Sequence, residues 1–267
     1  MTQTRTGLDK LAAMFAQAKA QPRAAFLPYF PIGYPTYAES LDAIAAMAAE
    51  GVDGFEIGMP FSDPLADGPV VQAATQIALE NGTTVRKCIG AVRELRARGV
   101  TQPMLLMGYI NPLLSYGIEK FVQDAQAAGA DGLIVPDLPP EEGTTIDAAC
   151  ANAGLAHVYM LAPTSNAARI ELVGQHATGF IYVVTFIGIT GVRAELPSYL
   201  TEFIARLRAQ IKDTPLVMGF GISKPEQARR MNDLLDGFIV GSALVRVGKE
   251  GVEPVRELTR SLRQALD

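Results

Sequence analysis

The sequence predicts an α/β protein built as an eight-stranded (β/α)8 barrel with an extra N-terminal helix. Three observations predict it. Eight short runs rich in β-branched and aromatic residues recur along the chain, amphipathic helical patterns separate them, and three related words, GVDGFEIG, GADGLIVP and LLDGFIVG, each lead into a run. At 267 residues the chain has the length of one such barrel, so a single TIM-barrel domain over 1–267 is expected.

In chain order, LDKLAAMFAQAKA (8–20) reads as the extra helix, placed to cover the bottom of the barrel. The expected strands are AFLPYF (25–30), GFEIG (54–58), PMLLMGY (103–109), GLIVP (132–136), HVYML (157–161), GFIYVV (179–184), LVMGF (216–220) and GFIVG (237–241). Between them lie YAESLDAIAAMAAEG, TVRKCIGAVRELRARG, IEKFVQDAQAAG, EEGTTIDAACANAG, SYLTEFIARLRAQI and SKPEQARRMNDLL. Most of these helical patterns end at a glycine, as helix C-termini do. A last helix over roughly 252–266 closes the chain, and no Pro- or Ser-rich linker divides it.

Hydrophobic residues are 49% and charged residues 19% of the chain, enough for a core of ordinary size. The net charge is −5 and no Lys/Arg run tracks a phosphate backbone, which argues against nucleic acid as a partner. The start lacks a signal-peptide apolar region and no apolar run is long enough to span a membrane, so a cytoplasmic protein is expected. Cys88 and Cys150 lack redox or metal spacing and read as reduced core residues. His157 and His176 are far apart in sequence, with no acidic or Cys neighbour in a ligand pattern. They read as structural, which removes a Ser-His-Asp triad and a metal site and leaves acid–base work to carboxylates, Tyr or Lys.

A barrel places its active site at the C-terminal ends of its strands. There Glu56 stands between Phe55 and Ile57. If those two pack against helices, alternation points Glu56 into the barrel, where an unpaired carboxylate is costly and so solvated, paired or functional. No basic residue lies between Arg23 and Arg86 to pair with it locally. The following loop, MPFSDPLADGP, is stiffened by Pro60, Pro64 and Pro69, and Pro69 suits a first helical position. Turn chemistry alone leaves Asp63 and Asp67 equally open to a capping or a catalytic role. At the other end of the chain, GFGIS (219–223) and FIVGSAL (238–244) follow the seventh and eighth strands. Together with GITG (188–191) they bring glycine-rich loops to one place, where backbone N–H groups can hold a phosphate. Gly188 and Gly191 can also hinge the long sixth loop as a lid.

FEIGMPFSDPLADGP closely resembles the signature of the tryptophan synthase α subunit family. The similarity runs on through LPYFPIGYP, MGYINPLLSYG, GLIVPDLPPEE, IYVVTFIGITG, GFGIS and IVGSAL. The resemblance implies a lyase that cleaves indole-3-glycerol phosphate to indole and glyceraldehyde 3-phosphate by a retro-aldol reaction in tryptophan biosynthesis. It implies Glu56 and Asp67 as the catalytic pair, which makes Asp63 a loop-shaping residue. It implies Tyr182 and Thr190 beside the substrate, Tyr29, Leu106 and Ile134 in the indole pocket, and Gly191, Phe220, Gly221, Gly241 and Ser242 around the phosphate. No metal or organic cofactor is implied in this chain. The implied partner is a PLP-dependent tryptophan synthase β subunit in an α–β–β–α assembly, with the second and sixth loops closing at the junction. The sequence departs from the family at Thr185-Phe186-Ile187, where many members carry more polar residues, and at Tyr34, where some carry Asp; both bear on loop closure and signalling to the partner. Rival readings are a stand-alone indole-releasing lyase, which partner-independent activity would mark, and a silent activator, which the presence of both acids argues against. Another phosphate-binding barrel enzyme of tryptophan or histidine biosynthesis is disfavoured because its signature is absent.

Overall fold

Each expected strand forms, within a few residues at its ends, in the computed structural model, which describes residues 6–185, 198–219 and 221–267. The strands are β1 (Ala25–Pro31), β2 (Phe55–Gly58), β3 (Met104–Met107), β4 (Gly132–Ile134), β5 (Ala156–Leu161), β6 (Ile181–Val184), β7 (Leu216–Gly219) and β8 (Gly237–Val240). Each pairs in parallel with the next and β8 pairs with β1, which closes the barrel. A sheet covered on both faces needs apolar residues at nearly every position, and every residue of β1, β2 and β3 is buried.

The helices are α1 (Gly7–Ala20), α2 (Tyr37–Ala49), α3 (Pro69–Glu80), α4 (Val85–Ala97), α5 (Ile110–Tyr116), α6 (Ile118–Ala128), α7 (Thr144–Ala153), α8 (Ala167–His176), α9 (Ser198–Gln210), α10 (Pro225–Arg229), α11 (Ser242–Gly248) and α12 (Val252–Gln264). Thr36, Thr84 and Asn166 start α2, α4 and α8 by accepting a hydrogen bond from the backbone N–H three residues on. Two helices rather than one follow β2 and β3. The additional α5 is only two turns long, too short to declare a helical period in sequence. The 225–233 pattern likewise breaks after α10 into a 3-10 turn, Arg230–Asp233.

The extra helix α1 lies across the N-terminal end of the barrel. Leu11 and Met14 are buried there, close against Gly179 and Gly54, the glycines just ahead of β6 and β2. The three related words have a shared structural cause at this same end. Asp53, Asp131 and Asp236 each accept a hydrogen bond from the backbone N–H at or near the start of the preceding strand, from Phe26, Met104 and Leu216, at 2.8 Å in all three cases. Each is also paired with an arginine: Arg23, Arg96 and Arg208 respectively. Asp131 is the most enclosed, 1% exposed, and takes a second cation from Lys10 Nζ at 2.8 Å.

The register decides which side chains reach the interior. Tyr29 pairs with Glu56, and Glu56 with Leu105. Paired residues share a face and the next residue points the opposite way. Leu106 pairs with Ile57 and Leu133 and so faces the helical layer, which corrects its expected place in the indole pocket. The interior position beside it belongs to Met107, which pairs with Gly58 and with Ile134. Ile134 therefore faces the interior, though it is not among the residues that line the cavity at the C-terminal ends of the strands.

Removing a partner from a buried, hydrogen-bonded ion pair strands the remaining charge. Asp131→Ala should destabilise the fold by about 3–5 kcal/mol, measured by urea unfolding, whereas Asp42→Ala, at an exposed ion pair with Arg98, should cost less than about 1 kcal/mol.

Candidate active site

Tyr29, Glu56, Asp67, Tyr182, Gly221, Gly241 and Ser242 line one cavity of about 270 Å3 at the C-terminal ends of the strands. Side chains proposed from five different strands and loops thus meet in one place, as the barrel geometry requires. Thr190, Gly191 and Phe220 lie outside the described residues, as do the GITG stretch and most of the sixth loop. Val70 and Val71 at the start of α3, together with Ile222, Ile239 and Arg246, add to the lining.

Glu56 is 2% exposed. Its carboxyl group forms no ion pair or hydrogen bond with any described residue. Burial, and then the charge of Asp67, push its pKa up to about 8. Asp67 is half-buried, and its pKa is raised to about 6 by the same desolvation, against a hydrogen bond from Tyr109 that lowers it. Near neutral pH the two carboxyls therefore divide: Glu56 is mostly protonated and Asp67 mostly ionised. Burial holds the Tyr29 and Tyr182 hydroxyls well above their ordinary range, and both carboxylates push the same way.

The chain places these groups through close backbone approaches. A Cβ on Gly58 would sit 2.5 Å from the Tyr29 hydroxyl, and one on Gly219 would sit 2.2 Å from that of Tyr182. Only glycine leaves room there for the two rings to turn into the cavity.

The loop after β2 places its two aspartates differently, Asp67 at the cavity and Asp63 away from it. Asp67 N–H donates to Pro64 O at 3.0 Å, and Gln72 Nε2 donates to Asp67 O at 2.8 Å, so the backbone is held on both sides. Gly68 caps α3 with Pro69 at its first position, as expected. Asp63 is exposed, accepts from Ser62 Oγ, and contributes its backbone carbonyl to a turn with Leu65. It is absent from the cavity lining.

Sequence reading missed Tyr109. Its hydroxyl donates to Asp67 Oδ2 at 2.8 Å and accepts from Ala66 N–H at 3.0 Å, while its ring packs 5.3 Å from that of Phe61. It ties the loop after β2 to the end of β3 and aims the Asp67 carboxylate. The sequence pattern puts Tyr109 at the end of the third strand, whereas β3 stops at Met107, and a tyrosine at a strand end carries no periodic signal that it will reach a neighbouring loop.

The two histidines are not apart in space. His157 Nδ1 lies 2.7 Å and His176 Nδ1 2.9 Å from the two oxygens of Asp147, and Tyr159 donates to the same carboxylate at 3.0 Å. His157 pairs with Leu133 on the outward face, so this cluster lies behind the barrel wall and away from the cavity. Among the described residues no group of three or more His, Cys, Asp or Glu is arranged to hold a metal ion. Cys88 and Cys150 are buried and free, and burial pushes both thiols up to about 12. Tyr34 is buried beside Phe30. Thr185 is buried with its hydroxyl donating to Gly219 O, and Phe186 and Ile187 lie outside the described residues.

A family model described as "Tryptophan synthase alpha chain" matches residues 15–265. The chain is 47% identical over 238 residues to the tryptophan synthase alpha chain of Chloroflexus aurantiacus, covering 89% of each protein. It is 44% identical over 261 residues to that of a Roseiflexus species, covering 96% of this chain and all of the other. Among solved structures, tryptophan synthase from M. tuberculosis superposes with a TM-score of 0.89 at 35% identity, covering 96% of this chain and 98% of that one.

Two outcomes follow from the electrostatics. Because the folded-state pKa of Glu56 lies above the unfolded value, its stabilising effect is complete below about pH 4.5 and is lost as pH rises through about 8. Glu56→Gln should therefore raise the unfolding free energy on the alkaline side, by a few kcal/mol near about pH 9, and change it little near about pH 4. Parallel denaturant titrations at the two pH values measure this. Tyr109→Phe removes the hydrogen bond that favours the charged form of Asp67, so the Asp67 carboxyl should titrate at higher pH, followed by carbon NMR. An unchanged midpoint would remove the tyrosine from the electrostatics of the site.

Proposed function

The chain belongs to the tryptophan synthase alpha chain family, a premise that makes it a lyase of tryptophan biosynthesis, and from it we propose that this protein cleaves indole-3-glycerol phosphate to indole and glyceraldehyde 3-phosphate. The observation that carries the reading is a buried carboxyl without a counter-charge, Glu56, in the same cavity as a mainly ionised Asp67 and the glycine-lined end at Gly221 and Gly241.

Glu56 gives its proton to C3 of the indole. The carboxylate so formed accepts the proton of the hydroxyl on the adjacent glycerol carbon, that carbon becomes an aldehyde, and the electron pair of the breaking C–C bond returns to the ring. The proton leaves and returns to one group, which a pKa near neutrality allows. Asp67 accepts the indole N–H and stabilises the positive charge that develops on the ring, and Tyr109 holds it in place. Tyr29, Tyr182 and Ile134 flank the organic part of the substrate, with Thr190 from the sixth loop. Gly191, Phe220, Gly221, Gly241 and Ser242 take the phosphate. No metal or organic cofactor enters this scheme.

The partner in this reading is a β subunit that consumes the indole with PLP, in an α–β–β–α assembly, with the chain acting as one barrel domain. An apolar side chain left in water on the loop after β2 supports a docking role: Leu65 is 89% exposed and sits two residues from Asp67, so a protein that covers it also touches the catalytic loop. Among the described residues no helix is long and apolar enough to cross a membrane.

An indole-release assay on indole-3-glycerol phosphate, with and without a β subunit, tests the reading. Slow release alone and faster release with the partner is expected; no indole under either condition removes it. Glu56→Gln should lower kcat by about a hundred- to ten-thousandfold with binding of a phosphorylated substrate analogue retained. Asp67→Asn should also lower kcat, and an effect confined to KM would reduce Asp67 to substrate positioning.

A further inference from the structure

Arg246 is the only cation among the described residues that line the cavity, and no residue assignment above uses it. It lies on α11, one turn beyond Ser242. The Val245 N–H donates to Gly241 O at 3.0 Å, so this turn is helical and residues four apart share a face. The opposite face of α11 is fixed against the barrel: Ala243, Leu244, Val245 and Gly248 are buried, and a Cβ on Gly248 would meet the Phe30 ring at 2.8 Å. Ser242 and Arg246 are thereby left together on the open side, both lining the cavity. Arg246 makes no ion pair or hydrogen bond with any described residue, so its guanidinium is not committed to a surface carboxylate.

The cavity has a charge problem that this residue answers. Among the described residues its other ionisable side chains include no cation, Asp67 is a standing negative charge, and the whole chain carries a net charge of −5, all unfavourable to an anion. Backbone N–H groups carry partial charge only. A phosphate monoester holds close to two negative charges near neutral pH, and a guanidinium matches its oxygens with a planar pair of donors.

We propose that Arg246 is a specificity-determining residue that supplies the positive charge for the substrate's phosphate, binding it beside Ser242 from the open face of α11. This rests on the phosphorylated-substrate reading and deepens it: selection for a charged ester over an uncharged indole alcohol resides in one side chain as well as in the glycine loops. Being exposed, it engages the phosphate where substrate enters, and it also attracts the anion over the acidic surface.

The test is calorimetric titration of the full-length protein and of Arg246→Ala and Arg246→Lys with glycerol 3-phosphate and, separately, with indole, alongside kcat and KM and a melting curve for each. For Arg246→Ala the Kd for glycerol 3-phosphate should rise about tenfold. KM should rise in step, while kcat, the Kd for indole and the melting temperature hold within about twofold or a few degrees. Arg246→Lys should recover most of the loss, since the charge survives while the fork does not. Glycerol 3-phosphate binding by Arg246→Ala within about twofold of the unmutated protein overturns the proposal and leaves the reaction standing. Equal losses for glycerol 3-phosphate and indole assign Arg246 a structural role and overturn it too. If the unmutated protein itself does not bind glycerol 3-phosphate, the phosphate-site reading falls and this inference falls with it.

Discussion

Closing eight parallel strands on themselves forces each side chain to choose between a filled interior and a layer of helices, and the rest of this structure depends on that choice. The register pairs Tyr29 with Glu56 and sends Phe55, Ile57 and Leu106 outward. A slip of one residue in β2 would turn Glu56 into the helical layer and Phe55 or Ile57 into the cavity. The barrel holds the register partly from below. Asp53, Asp131 and Asp236 each join a strand-end N–H to an arginine, so the same short word does the same mechanical work at three places around the rim.

What the interior then does to charge follows from desolvation. An apolar wall disfavours the carboxylate form of Glu56 more than that of Asp67, because Asp67 sits at the mouth with a tyrosine hydroxyl directed at it. Two carboxyl groups of nearly equal intrinsic acidity are thereby separated, near neutral pH, into one mostly protonated and one mostly ionised. The separation is an outcome of depth: one acid is carried by a strand, the other by the loop that follows it. Stability and proton affinity pull against each other here, since the burial that raises the Glu56 pKa costs the fold stability as pH rises and the carboxyl ionises.

The cavity lining also differs by element. Its carboxyl groups and tyrosines come from β1, β2 with the loop after it, and β6, while Gly221, Gly241, Ser242 and Arg246 come from the segments after β7 and β8. The glycines at Gly58 and Gly219 admit the tyrosine rings, a different use from the anion approach proposed for Gly221 and Gly241.

Strand number, order and approximate limits were legible in the chain, because parallel strands buried on both faces must be short and apolar and must alternate with helices, a pattern that local composition records directly. Glu56 was legible for the same reason: an acid among β-branched and aromatic neighbours breaks the pattern where barrels keep their chemistry. Asp67 became distinguishable from Asp63 only by resemblance, since both are ordinary turn residues. Short helices such as α5 and the break after α10 escaped because a turn or two has no period to read. The inward placement of Met107 in preference to Leu106, the hydrogen bond from Tyr109 to Asp67, the meeting of His157 and His176 on Asp147, and the presence of Arg246 in the same cavity lining as the distant Glu56 were decided by tertiary structure alone. Each depends on which segments lie side by side after closure, and a one-residue register step or a neighbouring loop's path leaves no mark in local sequence.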